Sequence, residues 1–526
     1  MIGKSLLDEH SFTDLQFSCG SDWRFIKDIG IKYTQDDVSK LAEIVLKFYG
    51  STILEQKSFR ELFLRTLSST SLESLVQSYK LSVDVQKPVL MARILANRPW
   101  GTSSKLIPHF RNMGFTSDYF PVPIGGFPSR EIIGVYKPLG KLFKYQEEVI
   151  DEVILSVNRN NEPVLVQLPT GSGKTRILME SVCHLKNSHK GSLSILWLAH
   201  SEELIEQAID TFKNVWSVNA KSSISINRAY GKHLPDPNQI NDAVTFGGLQ
   251  KLSLLNSSSD LLASLKENIS IVVVDEAHKV TAPTYSNFVN SVLKKSNAKL
   301  IGVSATPGRS YTESLENRNF AKFFNDNIIS AKLGENPIRA LQELSILAKV
   351  TRKVIATDVV ITESTITKKT LSSLSISKDR NRAIVTEIKK AVEEGTSTLV
   401  FSCGIQHSRI ICAHLAAFGI DSGYIDYSLS YSSRKIIIEN FKTGKLKVLI
   451  NYSVLTTGFD APIIGAVIIA RPTTSIILYS QMIGRGLRGL AVGGNDYIRV
   501  VDVKDNIESF GDLDYMYNYF SEYWAK

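Results

Sequence analysis

LPTGSGKT, residues 168–175, follows an apolar run and precedes a helix-like stretch, residues 176–185. Glycine lets consecutive backbone N–H groups curl around phosphate oxygens, and the start of the next helix adds the positive end of its dipole. The pattern predicts a phosphate-binding loop in which Lys174 reaches the β- and γ-phosphates of a nucleotide and Thr175 holds Mg²⁺. The other residues predicted to line the nucleotide are Pro169, Thr170, Gly171, Ser172 and Gly173. An ordinary glycine-rich turn is the alternative, because Leu168 stands where the general pattern has glycine.

Two carboxylates, Asp275 and Glu276, end another apolar run in VVVDEAH, residues 272–278. The carboxyl ends of parallel strands meet at one edge of a sheet, so we expect this pair to face the phosphate-binding loop. Asp275 is suited to bind Mg²⁺, and Glu276 to orient and deprotonate an attacking water. The alternative is a pair of solvated acids that open a helix, where negative charge is favoured.

A third segment, QMIGRGLR at residues 481–488, carries Arg485 and Arg488. If the segment is helical, the two arginines lie on one face. We predict that one or both reach the γ-phosphate and stabilise the charge that develops during its transfer. The alternative is the solvated start of a basic helix.

Composition excludes several classes of protein. The 526 residues are 43% hydrophobic and 21% charged, close to the average for globular proteins, which excludes a mostly disordered, collagenous or coiled-coil chain. The longest apolar stretch, residues 461–470, is about half of what a membrane helix needs, and we expect no secretory signal and no membrane partner. Four scattered cysteines indicate neither a disulfide framework nor zinc, so we expect a cytoplasmic protein. The net charge of +9 permits an anionic partner.

The chain divides into three regions by pattern. Residues 1–130 show the three- and four-residue apolar spacing of short helices, at 38–49, 59–67 and 72–79. Residues 119–138 are rich in proline and glycine, which predicts a linker or a lobe boundary. Two series of short apolar runs follow, typical of buried parallel strands: 164–168, 195–199, 271–274 and 300–303, then 397–401, 448–450, 466–469 and 498–501. We therefore predict an α/β protein with an N-terminal helical domain (1–130) and two lobes (131–330 and 331–526).

The three segments, in this order, resemble motifs I, II and VI of superfamily 2 helicases and translocases. Five further segments then resemble motifs Ia (AHSEEL, 199–204), Ib (TFGGLQ, 245–250), III (SATP, 304–307), IV (VFS, 400–402) and V (TTGFDAP, 456–462). Tyr145 and Gln146 resemble the element that reads adenine, with Gln146 hydrogen-bonding the base. The resemblance covers residues 140–526 and implies two tandem RecA-like lobes, parallel sheets flanked by helices, with ATP bound between them.

The resemblance also implies roles for individual residues. Gln481, Gly458 and Asp460 would belong to the ATP site, and Ser304, Thr306 and His278 would couple the ATP state to the grip on nucleic acid. Residues implied to contact nucleic acid are Ser201, Thr245, Gly247 and Thr456. For Ser201 and Thr245, an ordinary helix cap or turn hydroxyl is an equal alternative.

The DEAH tetrad together with SATP, TTGFDAP and QMIGRGLR is most similar to the XPB and RadD type of repair helicase and to the motors of type I and III restriction enzymes. This implies a helicase or translocase that acts on DNA, in repair or in defence against foreign DNA, with a separate nuclease or other protein bound through residues 1–130. Two alternatives stay open: an ATP-gated DNA clamp or assembly switch, and an RNA helicase. Basic and aromatic residues alternate over 97–120, which suits either nucleic-acid stacking or an ordinary core with a solvated face.

Overall fold

The computed structural model describes residues 6–29, 37–81, 87–116, 119–121, 128–133, 140–159, 162–309, 314–357, 366–455, 459, 461–503 and 511–524. Within these ranges a helical N-terminal domain precedes two lobes, and each lobe is a mainly parallel sheet with helices packed on it. The predicted fold class is confirmed.

The N-terminal domain is built from short amphipathic helices around an apolar core. Its helices are α1 (Phe12–Cys19), α2 (Trp23–Ile26), α3 (Val38–Tyr49), α4 (Lys57–Leu64), α5 (Ser69–Ser78), α6 (Pro88–Ala96) and α7 (Ile107–Asn112). Helix α3 has the predicted bounds, and α4 and α5 begin two to three residues earlier than predicted. The aromatic residues Phe110 and Phe115 lie in this core, so the core reading of their segment holds for them.

Lobe 1 contains an eight-stranded sheet in the order β1-β4-β5-β3-β6-β7-β2-β8. The strands are β1 (Arg130–Ile133), β2 (Val164–Gln167), β3 (Ser194–Ala199), β4 (Ile224–Ala229), β5 (Ala243–Gly248), β6 (Ile269–Asp275), β7 (Lys299–Ser304) and β8 (Ile328–Ser330). Only the edge strand β1 is antiparallel in this described sheet. Strands β2, β3, β6 and β7 confirm the four predicted runs, because buried parallel strands are apolar on both faces.

Helices cover both faces of the lobe 1 sheet. They are α8 (Lys144–Arg159), α9 (Lys174–Ser188), α10 (Glu202–Asn219), α11 (Leu249–Ser253), α12 (Asp260–Asn268), α13 (Pro283–Ser296) and α14 (Ser314–Phe323). Clusters of buried apolar residues lie on both sides of the strands.

Strand β1 lies inside the segment that was predicted to be a linker or a lobe boundary. Buried Arg228 of β4 donates to Glu206 Oε1 at 2.7 Å and Oε2 at 3.1 Å, and its other nitrogen donates to the carbonyl of Pro128 at 3.0 Å. The same guanidinium lies 3.2 Å from a carboxylate oxygen of Glu131 in β1. The proline-rich approach does not prevent an edge strand here, because a buried cation fixes it.

Lobe 2 contains a six-stranded parallel sheet in the order β11-β12-β10-β13-β14-β9. The strands are β9 (Lys349–Ile355), β10 (Ser397–Phe401), β11 (Ser422–Ile425), β12 (Val448–Asn451), β13 (Ile464–Ile469) and β14 (Tyr497–Val503). The helices are α15 (Pro337–Glu343), α16 (Lys368–Ile376), α17 (Lys378–Glu393), α18 (Ile405–Ala417), α19 (Tyr431–Lys442), α20 (Ile476–Ile483) and α21 (Leu513–Asn518). All four strands predicted in the second series are present.

The N-terminal domain packs on lobe 2. Three residues of α18, Ile410, Ala413 and Ala416, are buried in the core of the N-terminal domain. The hydroxyl of Tyr424 donates to the carbonyl of Tyr49 at 2.9 Å. The two units therefore share one continuous apolar core.

The described end of the chain returns to lobe 1. Residues 511–524, predicted as part of lobe 2, contain α21 and a short 3₁₀ helix, Ser521–Trp524. Trp524 belongs to the lobe 1 core beneath α14. In the part of the chain that the structure describes, no helix has the length and apolar character required to span a bilayer.

Candidate active site

The phosphate-binding loop connects β2 to α9, as the sequence predicts. Gly171 and Gly173 have φ angles of 97° and 88°, which favour glycine. A Cβ atom at Gly171 would lie 2.7 Å from Arg488 Nη1, and one at Gly173 would lie 2.7 Å from Gln146 Nε2. Helix α9 begins at Lys174. The unpaired N–H groups of its first turn therefore lie at the loop, where they suit a phosphate.

Tyr145 and Gln146 hold this loop in place. The hydroxyl of Tyr145 and Nε2 of Gln146 both donate to the carbonyl of Ser172, at 2.6 and 3.0 Å. Oε1 of Gln146 accepts from the backbone N–H of Phe143 at 3.0 Å. Both residues thus lie against the phosphate-binding loop, and the contact of Gln146 with adenine stays a prediction.

Asp275 and Glu276 lie where β6 ends. Glu276 has a left-handed backbone (φ 50°, ψ 54°), which costs free energy in a residue other than glycine. Its N–H donates to Asp275 Oδ1 at 2.9 Å. Its own Oε2 accepts from Gln481 Nε2 at 3.3 Å and lies 3.4 Å from His278 Nδ1. The strained residue is therefore held by groups from both lobes.

The buried charges set the protonation of the two acids. Burial, and then the neighbouring Glu276, raise the pKa of Asp275 to about 7. Burial acts to raise the pKa of Glu276 as well, but positive charge around it, from His278 in its protonated form and from the ammonium of Lys174, outweighs burial, and the pKa of Glu276 is lowered. Burial lowers the pKa of Lys174 to about 8, against the attraction of Glu276. Glu276 is consequently ionised at neutral pH, as a base must be.

The donor atoms at this site fit a magnesium ion. Mg²⁺ prefers oxygen ligands and favours a carboxylate in its ionised form. The carboxylate of Asp275 is buried beside the carboxylate of Glu276. A divalent cation would offset the repulsion between these two negative charges. Asp275 and the hydroxyl of Thr175 are the predicted ligands.

Lobe 2 contributes the arginines. Arg485 Nη1 donates to the carbonyl of Phe459 at 2.8 Å, and its Nε donates to the carbonyl of Gln481 at 3.2 Å. At Gly484 a Cβ would lie 2.2 Å from Thr170 Cγ2, so the loop and this turn are in direct contact. The structure thus brings the predicted catalytic groups together: Lys174, Glu276, Gln481, Arg485 and Arg488.

His278 connects the acids to the SATP segment. Its Nδ1 lies 3.2 Å from Ser304 Oγ, which donates to the carbonyl of Thr306 at 2.7 Å. The N–H of Thr306 donates back to Ser304 Oγ at 3.2 Å. Burial lowers the pKa of His278 to about 4, so its imidazole is neutral. The three residues assigned to coupling therefore form one hydrogen-bonded group.

The residues predicted to contact nucleic acid lie in different environments. Ser201 caps α10, where its Oγ accepts from the N–H of Leu204 at 3.3 Å. Thr245 is fully buried and accepts from Asn227, and a Cβ at Gly247 would lie 2.4 Å from Leu252 Cδ1. Thr245 and Gly247 thus lie in the packed interior, which favours the structural alternative for Thr245, and their contact with nucleic acid stays a prediction.

Three predicted residues of the TTGFDAP segment lie outside the described residues: Thr456, Gly458 and Asp460.

An ion pair that the sequence did not predict also links the lobes. Arg434 of α19 lies 2.5 Å from Glu203 of α10, next to the Ser201 cap. Glu203 belongs to AHSEEL, but no pattern in the sequence marks Arg434 as its partner. Among the described residues no cluster of His, Cys, Asp and Glu is arranged to bind a metal by side chains alone.

Two family models match the chain. One describes the res subunit of type III restriction enzymes and matches residues 139–309, and the other describes the conserved C-terminal domain of helicases and matches residues 379–489. IRC3 of Saccharomyces cerevisiae, named as an ATP-dependent helicase, is 29% identical over 364 residues, which are 65% of this chain and 49% of that protein.

The endonuclease subunit of the type I restriction enzyme EcoAI from Escherichia coli is 23% identical over 401 residues, 70% of this chain and 46% of that subunit. The chain therefore spans about half the length of these relatives. A fragment described as an HsdR subunit of a type I restriction enzyme from Vibrio vulnificus has a TM-score of 0.51 and 18% identity, covering 71% of this chain and 66% of that one, and this likeness shows the fold.

The matched models cover the phosphate-binding loop, the DEAH tetrad and the arginine segment, which the structure brings together in one cleft. The chain belongs to superfamily 2 of the helicases and translocases, in the branch that includes the motors of restriction enzymes.

Proposed function

We propose that this ATP hydrolase couples the hydrolysis of Mg-ATP to movement on DNA, as a helicase or a double-stranded DNA translocase. One observation carries the proposal: Gln481 of lobe 2 donates to Glu276 of lobe 1 at 3.3 Å, so the catalytic carboxylate is completed only when the lobes meet. Closure that assembles a catalytic site links nucleotide turnover to domain movement.

Each residue of the cleft has a chemical task. Lys174 and the N–H groups at the start of α9 bind the β- and γ-phosphates, and ionised Glu276 orients the water and accepts its proton. Arg485 and Arg488 stabilise the charge that develops on the transferred phosphoryl group. Mg²⁺, held by Thr175 and Asp275, would neutralise phosphate charge when bound. Gln481 orients Glu276 across the lobe interface.

DNA is the favoured track because the relatives with matching motor regions include restriction-enzyme subunits. Superfamily 2 motors hold the sugar–phosphate backbone, which carries no sequence information, so binding should be sensitive to salt. The helix cap at Ser201, beside the lobe-bridging pair of Glu203 and Arg434, is the proposed contact with a backbone phosphate in lobe 1.

The biological setting belongs to the same proposal. We place the motor in DNA repair or in defence against foreign DNA, and the likeness to restriction-enzyme subunits supports the second setting. The N-terminal domain would bind a separate nuclease or other protein. A cytoplasmic location is supported by the cysteines Cys19, Cys183, Cys403 and Cys412, which are free and buried thiols.

Steady-state ATP hydrolysis tests the proposal with no nucleic acid, single-stranded DNA, duplex DNA and RNA. We expect DNA to raise the rate several-fold in the wild type, and Glu276→Gln to lower the rate at least about 100-fold under every condition. Glu267→Gln is the matched control, because Glu267 is an exposed carboxylate of lobe 1 that pairs only with Lys295 among the described contacts. Equal rates in all four conditions would contradict a nucleic-acid motor.

Two alternative functions are separated by further measurements. An ATP-gated clamp or assembly switch hydrolyses ATP without moving, so it fails to displace a strand or a DNA triplex. An RNA helicase is stimulated by RNA more than by DNA. Strand or triplex displacement that requires ATP and DNA would exclude both.

A further inference from the structure

The last described segment, Gly511–Trp524, connects lobe 2 to three parts of the motor. It follows β14, the strand next to the edge of the lobe 2 sheet. Asp514 Oδ1 accepts from the backbone N–H of Ile338 at 2.9 Å, at the start of α15, which lies between the two sheets in the chain. The two crossings of the chain between the lobes are therefore packed together.

The segment next contacts the strand that leads into the phosphate-binding loop. Nε2 of Gln167 donates to the carbonyl of Tyr517 at 3.0 Å, and the hydroxyl of Tyr517 donates to the carbonyl of Gln167 at 3.3 Å. Both side chains are buried. Gln167 of this pair lies two residues before Pro169, the proline of the phosphate-binding loop.

Trp524 then enters the core of lobe 1. Its indole Nε1 donates to the carbonyl of Pro307 at 2.7 Å, and its ring packs edge-on against Phe320 at 5.7 Å between centroids. Phe520 lies against Gly308 so closely that a Cβ there would be 2.0 Å from its ring. Pro307 is the last residue of the SATP segment, so the indole holds the backbone where this segment ends.

A continuous series of contacts runs from Trp524 to the catalytic carboxylate. Pro307 follows Thr306, whose carbonyl accepts from Ser304 Oγ at 2.7 Å. Ser304 Oγ lies 3.2 Å from His278 Nδ1, which lies 3.4 Å from Glu276 Oε2. Each step is a direct contact between buried groups, and buried, packed groups transmit displacement instead of absorbing it.

We propose that Trp524 is a positioning residue of the motor, which fixes the SATP turn through Pro307 and thereby the orientation of Glu276. Because its segment continues from the lobe 2 sheet, movement of lobe 2 acts on Glu276 by this route as well as through Gln481. The coupling role rests on the proposed function, whereas the positioning role needs only ATP hydrolysis.

The test compares two tryptophan variants in lobe 1. Trp524→Phe keeps an aromatic ring and removes the indole N–H. Trp216→Phe is the matched control, because Trp216 is also buried and its Nε1 donates to the carbonyl of Ser222 at 3.0 Å, at the far end of α10. We expect Trp524→Phe to lower kcat at least about threefold with KM for ATP unchanged, and Trp216→Phe to leave both unchanged at a similar loss of thermal stability. Equal kcat in the two variants would overturn the proposal.

A double-mutant cycle distinguishes positioning from general stability. If Trp524 acts through Ser304, the double variant Trp524→Phe/Ser304→Ala loses no more kcat than the single variant Ser304→Ala. If the two residues act independently, the two fold-losses of kcat multiply in the double variant. Multiplicative losses would contradict the proposed route. Should Trp524→Phe fail to fold, Trp524→Tyr fills more of the space of the indole and also removes its N–H, and we expect a fall in kcat of about twofold. An unchanged kcat in Trp524→Tyr would then overturn the proposal.

The same assays separate this inference from the proposed function. If no nucleic acid stimulates the wild type, the DNA motor is wrong, yet kcat without nucleic acid still decides whether Trp524 positions Glu276. If DNA stimulates the wild type, the ratio of stimulated to basal kcat should fall in Trp524→Phe and not in Trp216→Phe. An unchanged ratio would contradict the coupling role alone.

Discussion

Two interfaces of lobe 2 differ in their chemistry. The interface with lobe 1 includes apolar residues of both lobes, but the groups of the ATP cleft meet through polar contacts: Gln481 bonds to Glu276, and Arg434 pairs with Glu203. The interface with the N-terminal domain is apolar, and α18 residues such as Ala413 are buried in a shared core. Polar contacts can exchange partners with water or ligand at small net cost, whereas separating an apolar core exposes its whole area to water. The N-terminal domain should therefore move with lobe 2 as one body while the ATP cleft opens and closes.

The largest expected effect is a loss of kcat in a variant of the ATP cleft. Arg485→Ala removes the charge that lobe 2 supplies to the phosphoryl group, and we expect kcat to fall about 1,000-fold. Stability should change little by comparison, because the substitution removes polar contacts of the guanidinium and no apolar side chain. Arg382→Ala, an exposed arginine of α17, is the control. Steady-state ATPase assays and thermal melting measure the two quantities, and a fall below tenfold would contradict the assigned role.

The second effect is at the apolar interface. Ile410→Ala leaves a cavity in the shared core, and we expect the free energy of unfolding to fall by about 3 kcal/mol. Urea unfolding should show the N-terminal domain and lobe 2 losing structure in one transition. Ile436→Ala on α19, where the side chain is 38% exposed, is the control. Separate transitions for the two units would contradict a single body.

The third effect is a pH dependence in α18, the helix that carries this interface. Burial, and then nearby arginines, hold the pKa of His407 well below its usual range and lower that of His414 to about 4. Both are neutral in the folded state, whereas the unfolded chain takes up a proton at each below pH about 6.5. Below pH about 6.5 the unfolded state therefore binds more protons than the folded state. The free energy of unfolding falls as the pH is lowered through this range, and each histidine contributes at most about 1.4 kcal/mol per pH unit.

Urea unfolding at pH 7.5 and pH 5.5 measures this loss. His407→Gln should show a smaller difference between the two pH values than the wild type. His184→Gln, at an exposed position of α9, should retain the difference. Equal stability of the wild type at both pH values would count against the neutral, buried state of these histidines.

The smallest effect is at the polar rim of the apolar interface. Lys47 of α3 lies 2.6 Å from Asp421, whose side chain is 58% exposed. Exposed ion pairs are screened by water and contribute little. Lys47→Gln should therefore change the free energy of unfolding by less than about 1 kcal/mol, measured by urea unfolding in low and high salt. A loss comparable to that of Ile410→Ala would show that charge, not apolar packing, holds this interface.

The sequence was sufficient for the central strands and the ATP motifs, for different physical reasons. Strands such as β3 and β10 are buried on both faces and therefore appear as apolar runs. Edge strand β9, KVTRKVI, is mostly exposed. Because its exposed positions are polar, it does not appear as an apolar run in the sequence. In β4 the buried Arg228 interrupts the apolar pattern, and its partner Glu206 is supplied by a distant helix. Edge and ion-paired strands depend on tertiary contacts that a local pattern does not contain.

The same limit applies to the site. Phosphate binding needs glycines and a lysine at fixed local spacing, so the loop could be predicted. No pattern in the sequence indicates that the hydroxyl of Thr245 is buried. The partner of Gln146 in the folded chain is a loop carbonyl, Ser172. The contact between Trp524 and Pro307 joins residues 217 positions apart, beyond the range of any pattern in the sequence.

The anchoring of β1 by Arg228 limits how far the motor can open. The N-terminal domain is packed on lobe 2 as far as Phe120, whereas Pro128 is bonded to lobe 1. Between Phe120 and Pro128 the chain has eight residue steps. At 3.3–3.6 Å per step, these two points can separate by at most about 29 Å. Any wider excursion of lobe 2 would have to peel β1 from its sheet or detach the N-terminal domain, so the covalent chain itself sets an upper bound on the stroke.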